Sequence, residues 1–82
     1  MTYDNKVHLL KRDMYQILAD HNQERGSHAA RLADLGEKIE GMATELAFTD
    51  FRDQKISRRD LLATKDSYVI KLASAAGVLP HL

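Results

Sequence analysis

Apolar side chains recur at alternating steps of three and four residues in two successive segments of this chain. In the first segment the repeat is carried by Tyr3, Val7, Leu10, Met14, Ile17 and His21. In the second segment it is carried by Leu32, Leu35, Ile39, Met42 and Leu46. This spacing places each set on one stripe of a helix, as in helices that pack side by side. The sequence therefore predicts an all-α fold containing an antiparallel hairpin with coiled-coil-like packing.

The two stripes are separated by a break in the repeat. The break contains Gly26, which suits a helix C-terminus, and Ser27, which suits the cap of the next helix. We therefore expect one helix over about residues 3–23 and a second over about residues 28–48. One continuous helix through the break is the alternative interpretation.

A third helix is predicted after a polar connector over residues 49–56. Ser57 followed by Asp60 is a variant of the capping box, and Gly77 is a favourable residue for a left-handed helix end. These signals place the helix at about residues 58–76. Its apolar face is expected to include Leu61, Leu62, Tyr68, Val69, Leu72, Ala73, Ala75 and Ala76.

The second helix carries a further stripe of mostly small residues beside its heptad stripe. Its members are Ala29, Ala33, Gly36, Glu40, Ala43 and Ala47. Small side chains allow a neighbouring helix backbone to approach closely, so this helix is expected to contact two neighbours. Because one hairpin partner cannot cover both stripes, and because a single domain of 82 residues buries only a modest core, we expect a homodimer. A monomeric three-helix bundle is the alternative.

Charge and composition argue against several classes of function. Twelve basic residues balance twelve acidic ones, and non-specific binding to nucleic acid or to an anionic membrane requires a surplus of basic residues. The chain has no cysteine, so disulfides and thiolate metal sites are excluded, and a reducing, cytoplasmic location is expected. No apolar run reaches membrane-spanning length, and the polar segment at residues 1–6 has no signal-peptide pattern.

Catalytic motifs are absent from the sequence: it has no glycine-rich phosphate loop, nucleophile elbow or catalytic triad order. We therefore predict neither an enzyme nor a cofactor. A metal-dependent enzyme is an alternative, because acidic residues pair at a spacing of three and carboxylates are magnesium ligands. These residues are Glu37, Glu40, Asp50 and Asp53. A zinc site is a weaker alternative, and its ligands would be His21, Glu24 and His28.

Several large apolar residues fall outside the helical stripes, and exposed apolar patches are typical of partner-binding sites. The predicted partner-binding residues are Tyr15, Phe48, Phe51, Ile70, Arg58 and Arg59. The function predicted from them is a non-enzymatic protein–protein interaction module, such as an adaptor, an inhibitor or a small regulator. Its partner is another protein of unknown identity, and no membrane partner is expected.

Arg58 and Arg59 lie at a helix start, where the helix dipole disfavours cations. We expect them to pair with a nearby carboxylate, with the alternative that they hold an acidic partner surface or a phosphate. The available carboxylates are Asp50, Asp53 and Asp60. The alternative function is a nucleic-acid-associated regulator that uses Arg52, Lys55, Arg58 and Arg59.

Two charged residues interrupt apolar stripes. Glu40 lies within the small-residue stripe of the second helix, and Lys65 lies within the apolar face of the third. A charge at such a position needs a partner. We therefore predict that Glu40 and Lys65 meet and fix the register of the helices, with the alternative that both side chains extend to water.

Overall fold

The computed structural model describes residues 2–22 and 28–81, which form three α-helices and no strand. The helices are α1 (Tyr3–Asn22), α2 (His28–Arg52) and α3 (Leu61–Ala75). Short 3₁₀ turns at Arg58–Asp60 and Leu79–His81 flank α3. The predicted all-α fold class is therefore confirmed. The predicted helix break at Gly26 and Ser27 lies outside the described residues.

The heptad stripes of α1 and α2 form the core of the hairpin, as predicted. Its buried members are Leu10, Met14, Ile17, Leu32, Leu35 and Ile39. The outer members Tyr3, Val7, Met42 and Leu46 are partly buried against this core, and the side chain of His21 lies outside what the structure describes. Because full burial of a large aliphatic side chain contributes about 1.5–3 kcal/mol, the seam is the main source of stability in the hairpin.

Three ion pairs run along one flank of this seam, each joining α1 to α2. They are Lys6–Glu45, Asp13–Lys38 and Asp20–Arg31. Each of the six residues immediately precedes a member of an apolar stripe, which is a position where coiled-coil helices exchange ion pairs. The residue numbers rise by seven along α1 and fall by seven along α2, so all three pairs have the same antiparallel register. We refer to them as the ion-pair ladder.

The third helix packs mainly on α2 and makes fewer contacts with α1. It buries Leu72 and Ala73 completely, and on α2 it covers Ala43 and Ala47. The small side chains allow this approach, as the small-residue stripe predicts. Because α3 is shorter than α2, the other end of the stripe remains open, and Ala29 and Ala33 are exposed there.

The second helix ends at Arg52, four residues beyond the predicted end at residue 48. The polar residues that indicated a connector are accommodated on the outer turns of the helix. The helix is ended by Gln54 in a left-handed conformation (φ 63°), with the Lys55 N–H donating to the Asp50 carbonyl at 2.9 Å. This is the Schellman arrangement, formed here without glycine.

The segment before α3 differs from the prediction in one detail. Ser57 precedes the 3₁₀ turn Arg58–Asp60, and the α-helix proper begins at Leu61. The Ser57 hydroxyl donates to the Asp60 carboxylate at 3.0 Å, and neither side chain caps a backbone N–H. The two residues predicted as a capping box therefore bond directly to each other.

Gly77 ends the third helix, as its residue type predicts. It has a φ of 74°, and the Val78 N–H donates to the Ala73 carbonyl at 2.8 Å. The Gly77 N–H donates to the Ser74 carbonyl at 3.1 Å, which completes a Schellman motif. Val78 is fully buried, so this helix end also contributes to the core.

No helix within residues 2–22 and 28–81 is both long enough and apolar enough to cross a membrane.

Candidate functional site

The most distinctive surface feature is a groove between the end of α2 and the beginning of α3, which we call the α2–α3 groove. Its volume is about 310 Å³. Its apolar lining residues are Ala47, Phe48, Leu61 and Leu62, and its cationic lining residues are Arg58, Arg59 and Lys65. Thr44 completes the lining, which contains no carboxylate among the described residues.

Two large apolar side chains of this groove are exposed to solvent. Phe48 is 54% exposed and Leu62 is 68% exposed. Phe48 lies two residues beyond the last heptad position of α2, Leu46, and therefore points away from the seam. Leu62 lies eleven residues before buried Ala73, about three turns along the same face of α3, but in contrast to Ala73 it remains largely exposed. The two exposed side chains therefore have different structural origins but share one groove.

Leu62 is the apolar residue of this groove that was not among the predicted partner-binding residues. The sequence pattern assigns it to the apolar face of the third helix, and Leu62 does lie on the same face of α3 as buried Ala73. The packing of α3 against the hairpin covers Leu72 and Ala73 but does not reach Leu62. The position of Leu62 in the first turn of α3, three residues after Arg59, is the signal that could have identified it.

Arg58 and Arg59 are both exposed and line the groove. The expectation that they pair with a nearby carboxylate is wrong, because neither forms an ion pair within the part of the chain that the structure describes. Asp60 accepts the Ser57 hydroxyl, and it lines a different groove on the other side of the 3₁₀ turn. The cationic side of the turn therefore faces the α2–α3 groove without a carboxylate.

The other two candidate carboxylates also have different partners. Asp50 accepts a hydrogen bond of 2.6 Å from the Tyr68 hydroxyl. Asp53 lies 4.0 Å from the Arg52 guanidinium. The pKa of Tyr68 is raised to about 12. The largest cause is the hydrogen bond that its hydroxyl donates to Asp50, and burial and the negative charge of Asp50 add to it.

Lys65 and Glu40 lie at ion-pair distance, with Lys65 Nζ 4.0 Å from Glu40 Oε1. The lysine side chain is partly buried, whereas that of Glu40 is largely exposed. The contact lies within one chain, between α3 and α2. Their proposed effect on helix register concerns energy and stays a prediction.

The remaining predicted partner-binding residues are not part of the α2–α3 groove. Tyr15, Phe51 and Ile70 are exposed, and none of them lines it. The structure therefore brings together Phe48, Arg58 and Arg59 from the predicted set and adds Leu62 and Lys65 to them.

A second groove, of about 250 Å³, lies between α1 and α2. Its lining includes Asp13 and Lys38, which pair at 2.5 Å, and Arg31, which pairs with Asp20. With Asp34, which also lines this groove, two carboxylates balance its two cations. Because of this compensation it is a weaker candidate for binding a charged partner than the α2–α3 groove.

The predicted carboxylate set does not form a metal-binding arrangement. Asp50 is bonded to Tyr68, and Glu40 lies near Lys65. No three histidine, aspartate or glutamate side chains within the described ranges come together as metal ligands. The side chains of His21, Glu24 and His28, the zinc alternative, lie outside what the structure describes.

The four cations of the nucleic-acid alternative are also divided. Arg58 and Arg59 line the α2–α3 groove, whereas Arg52 and Lys55 do not. Arg52 lies beside Asp53, which partly offsets its charge. The structure therefore does not gather these cations into one groove.

Comparisons with other proteins give no further guide to the site: no protein-family model, curated protein or solved structure matches this chain. The candidate site is therefore defined by the geometry and chemistry of the α2–α3 groove.

Proposed function

We propose that this chain is a non-enzymatic protein–protein interaction module that binds its partner in the α2–α3 groove. The observation that carries the proposal is the exposure of Phe48 and Leu62 side by side with two arginines that have no ion-pair partner among the described residues. Apolar anchors surrounded by polar or charged groups are typical of the energetic centre of an interface.

The exposed apolar side chains supply the driving force for binding. Complete burial of a phenylalanine or leucine side chain contributes about 1.5–3 kcal/mol, and much of that remains available for Phe48 and Leu62. The surrounding arginines make bidentate hydrogen bonds with carboxylates and so add orientation. A module of this kind acts as an adaptor, an inhibitor or a small regulator.

The proposal is tested by comparing Leu62→Asp with Ile70→Asp. Both side chains lie on α3 and are more than half exposed, at 68% and 59%, so neither substitution is expected to unfold the protein. Each tagged variant is incubated with an extract of cells that express the protein, and the retained proteins are identified by mass spectrometry. We expect a partner retained by wild type and Ile70→Asp but not by Leu62→Asp. Retention of the same proteins by both variants contradicts the proposal.

Two further features belong to the proposal. We infer a cytoplasmic location, supported by the cysteine-free composition, which is typical of proteins in a reducing compartment.

The homodimer stays a prediction, supported by the exposure of Ala29 and Ala33 on the uncovered half of the small-residue stripe. Light scattering over a concentration series tests it, and a mass that stays at that of one chain contradicts it.

A further inference from the structure

We propose that the segment bound in the α2–α3 groove is an acidic amphipathic helix of another protein. This inference rests on the proposed function and adds the chemistry of the partner. It is carried by three properties of the groove, which are its unbalanced positive charge, its apolar lining and its position at the beginning of α3.

The charge of the groove is not balanced within the chain. Arg58 and Arg59 form no ion pair among the described residues, and Lys65 reaches Glu40 only at 4.0 Å. The nearest acidic residue in sequence, Asp60, lines the polar groove on the opposite side of the 3₁₀ turn. Although the chain as a whole is neutral, this groove is therefore cationic and complementary to carboxylates.

The position of the two arginines strengthens this preference. They lie at the N-terminal end of the helical segment that continues as α3, where the helix dipole is positive. Their charge and the dipole are unfavourable together, and a bound carboxylate interacts favourably with both. An acidic partner therefore relieves a repulsion that is already present in the free protein.

The apolar lining selects a helix rather than a lone acidic group. Phe48 of α2 and Leu62 of α3 are two anchors from different elements within a space of about 310 Å³. An amphipathic helix presents apolar side chains at spacings of three, four and seven residues to such a groove. Aspartate or glutamate residues beside those anchors would then face Arg58 and Arg59.

A nucleic acid or an anionic membrane fits these observations less well. Nucleic-acid binding draws its affinity from many phosphate contacts, and the predicted cation set is divided because Arg52 and Lys55 lie outside the groove. An anionic membrane attracts a larger cluster of basic residues than the three in this groove. The combination of a few cations with large apolar anchors favours a polypeptide.

The test is a selection from a displayed library of random peptides, each about 14 residues long, which corresponds to about four helical turns. The library is selected against wild type and, separately, against the full-length Leu62→Asp variant. We expect the peptides enriched only by wild type to be net acidic, with apolar residues at helical spacing. Circular dichroism of each variant verifies that it is folded.

Charge reversal provides the second arm of the experiment. The double variant Arg58→Glu, Arg59→Glu should bind the enriched acidic peptides about tenfold more weakly or worse, and its own selection should enrich basic peptides. The matched control is Lys11→Glu, Arg12→Glu, which reverses two exposed cations of α1 and should leave affinity for the acidic peptides unchanged.

Each outcome either supports or overturns the inference. Enrichment of neutral or basic peptides that depends on Leu62 overturns the acidic partner but leaves the interaction module intact. The absence of any peptide that distinguishes wild type from Leu62→Asp overturns both. Binding of duplex DNA or of phosphatidylserine vesicles that is lost in the Arg58→Glu, Arg59→Glu variant, without peptide enrichment, assigns these arginines to a different macromolecule and also overturns both.

Discussion

Lys6 and Glu45 form an ion pair whose two side chains lie in very different surroundings. Lys6 Nζ is 3.2 Å from Glu45 Oε2, but the lysine side chain is 1% exposed and that of the glutamate is 59% exposed. The charged end of Lys6 thus reaches a carboxylate in contact with water, while its aliphatic stem is enclosed by the bundle. Lys6 therefore contributes to the core through its stem and to the ion-pair ladder through its charge.

Because the stem of Lys6 is enclosed and its charge reaches an exposed carboxylate, we expect its volume to contribute more than its charge to the stability of the fold. Lys6→Met keeps most of the packed volume, and replacing a buried ion by an apolar side chain of similar size is often close to neutral, so we expect a change within about 1 kcal/mol. Lys6→Ala leaves a cavity and should cost about 2 kcal/mol or more. Urea denaturation of both variants measures the difference, and equal losses in the two would show that the charge dominates.

The ion-pair ladder predicts a measurable coupling between Asp13 and Lys38. Asp13→Lys places two cations opposite each other and should cost about 0.5–1 kcal/mol, and the exchange variant Asp13→Lys, Lys38→Asp should restore most of it. The coupling should shrink in about 1 M salt, where charges are screened beyond about 3 Å. An exchange variant as unstable as the two single changes combined would refute a shared register.

The corresponding single and exchange variants of Glu40 and Lys65 test the predicted effect of this pair on helix register. Because Glu40 is largely exposed and the charges are 4.0 Å apart, we expect a coupling no larger than that of Asp13 and Lys38. A coupling clearly larger than that of the ladder pair would assign the register to Glu40 and Lys65 instead.

The hairpin was predictable from the sequence because its stripes are long and unambiguous. Every described member of the two heptad sets is buried or partly buried. The ion-pair ladder was not predicted, although its signal is present, because the charges become paired only once the antiparallel register is known. Lys6 in particular reads as an exposed charge until Glu45 is placed opposite it.

The ends of α2 and α3 have the same Schellman arrangement, but only one of them has a glycine that marks it in the sequence. Gly77 marked the end of α3 correctly, whereas Gln54 gave no signal, and the end of α2 was placed four residues too early. Only the backbone shows that both residues adopt positive φ. Polar composition indicated a connector over residues 49–56, but polar side chains are equally compatible with the exposed helical turn that residues 49–52 form.

Gln54 in a left-handed conformation predicts a stabilising substitution. Gln54→Gly removes the steric cost of positive φ, which is about 1–2 kcal/mol for residues other than glycine, but adds chain entropy to the unfolded state. We expect a net gain of about 0.5–1 kcal/mol, or an increase of several degrees in Tm. Gln54→Ala should give no gain. Gly77→Ala should lower the free energy of unfolding by about 1 kcal/mol. The added Cβ would meet no atom within 4 Å, so the whole loss should come from backbone strain at positive φ. An unchanged Tm for Gln54→Gly would contradict the assignment.

The bond between Tyr68 and Asp50 predicts a dependence of stability on alkaline pH. The pKa of Tyr68 is about 12 in the folded protein and near 10 when unfolded, so the folded state retains the proton longer. The resulting stabilisation is fully present below about pH 10 and is lost as the pH rises to about 12. Ultraviolet titration of wild type and Tyr68→Phe identifies the late-ionising tyrosine. Loss of the same fraction of stability between these pH values in both proteins would contradict the assignment.

The groove was only half predictable. Phe48 was identified because it departs from the helical pattern, and the two arginines because they lie at a helix start. Leu62 fits the apolar pattern of α3 and is nevertheless 68% exposed. Tyr15 and Ile70 depart from the pattern in the same way as Phe48, but the fold places them outside the groove. Periodicity identifies the face of a helix, and only the packing of whole helices shows which exposed residues are neighbours.

The most direct test of the account is nuclear magnetic resonance of the full-length protein titrated with an acidic peptide enriched by wild type. We expect the backbone amide shifts to change chiefly at Phe48, Arg58, Arg59, Leu62 and Lys65. The amides of Ala29 and Ala33, on the uncovered half of α2, should remain unchanged. Shift changes centred on Ala29 and Ala33, with none at Phe48 and Leu62, would contradict the assignment of the α2–α3 groove as the partner site.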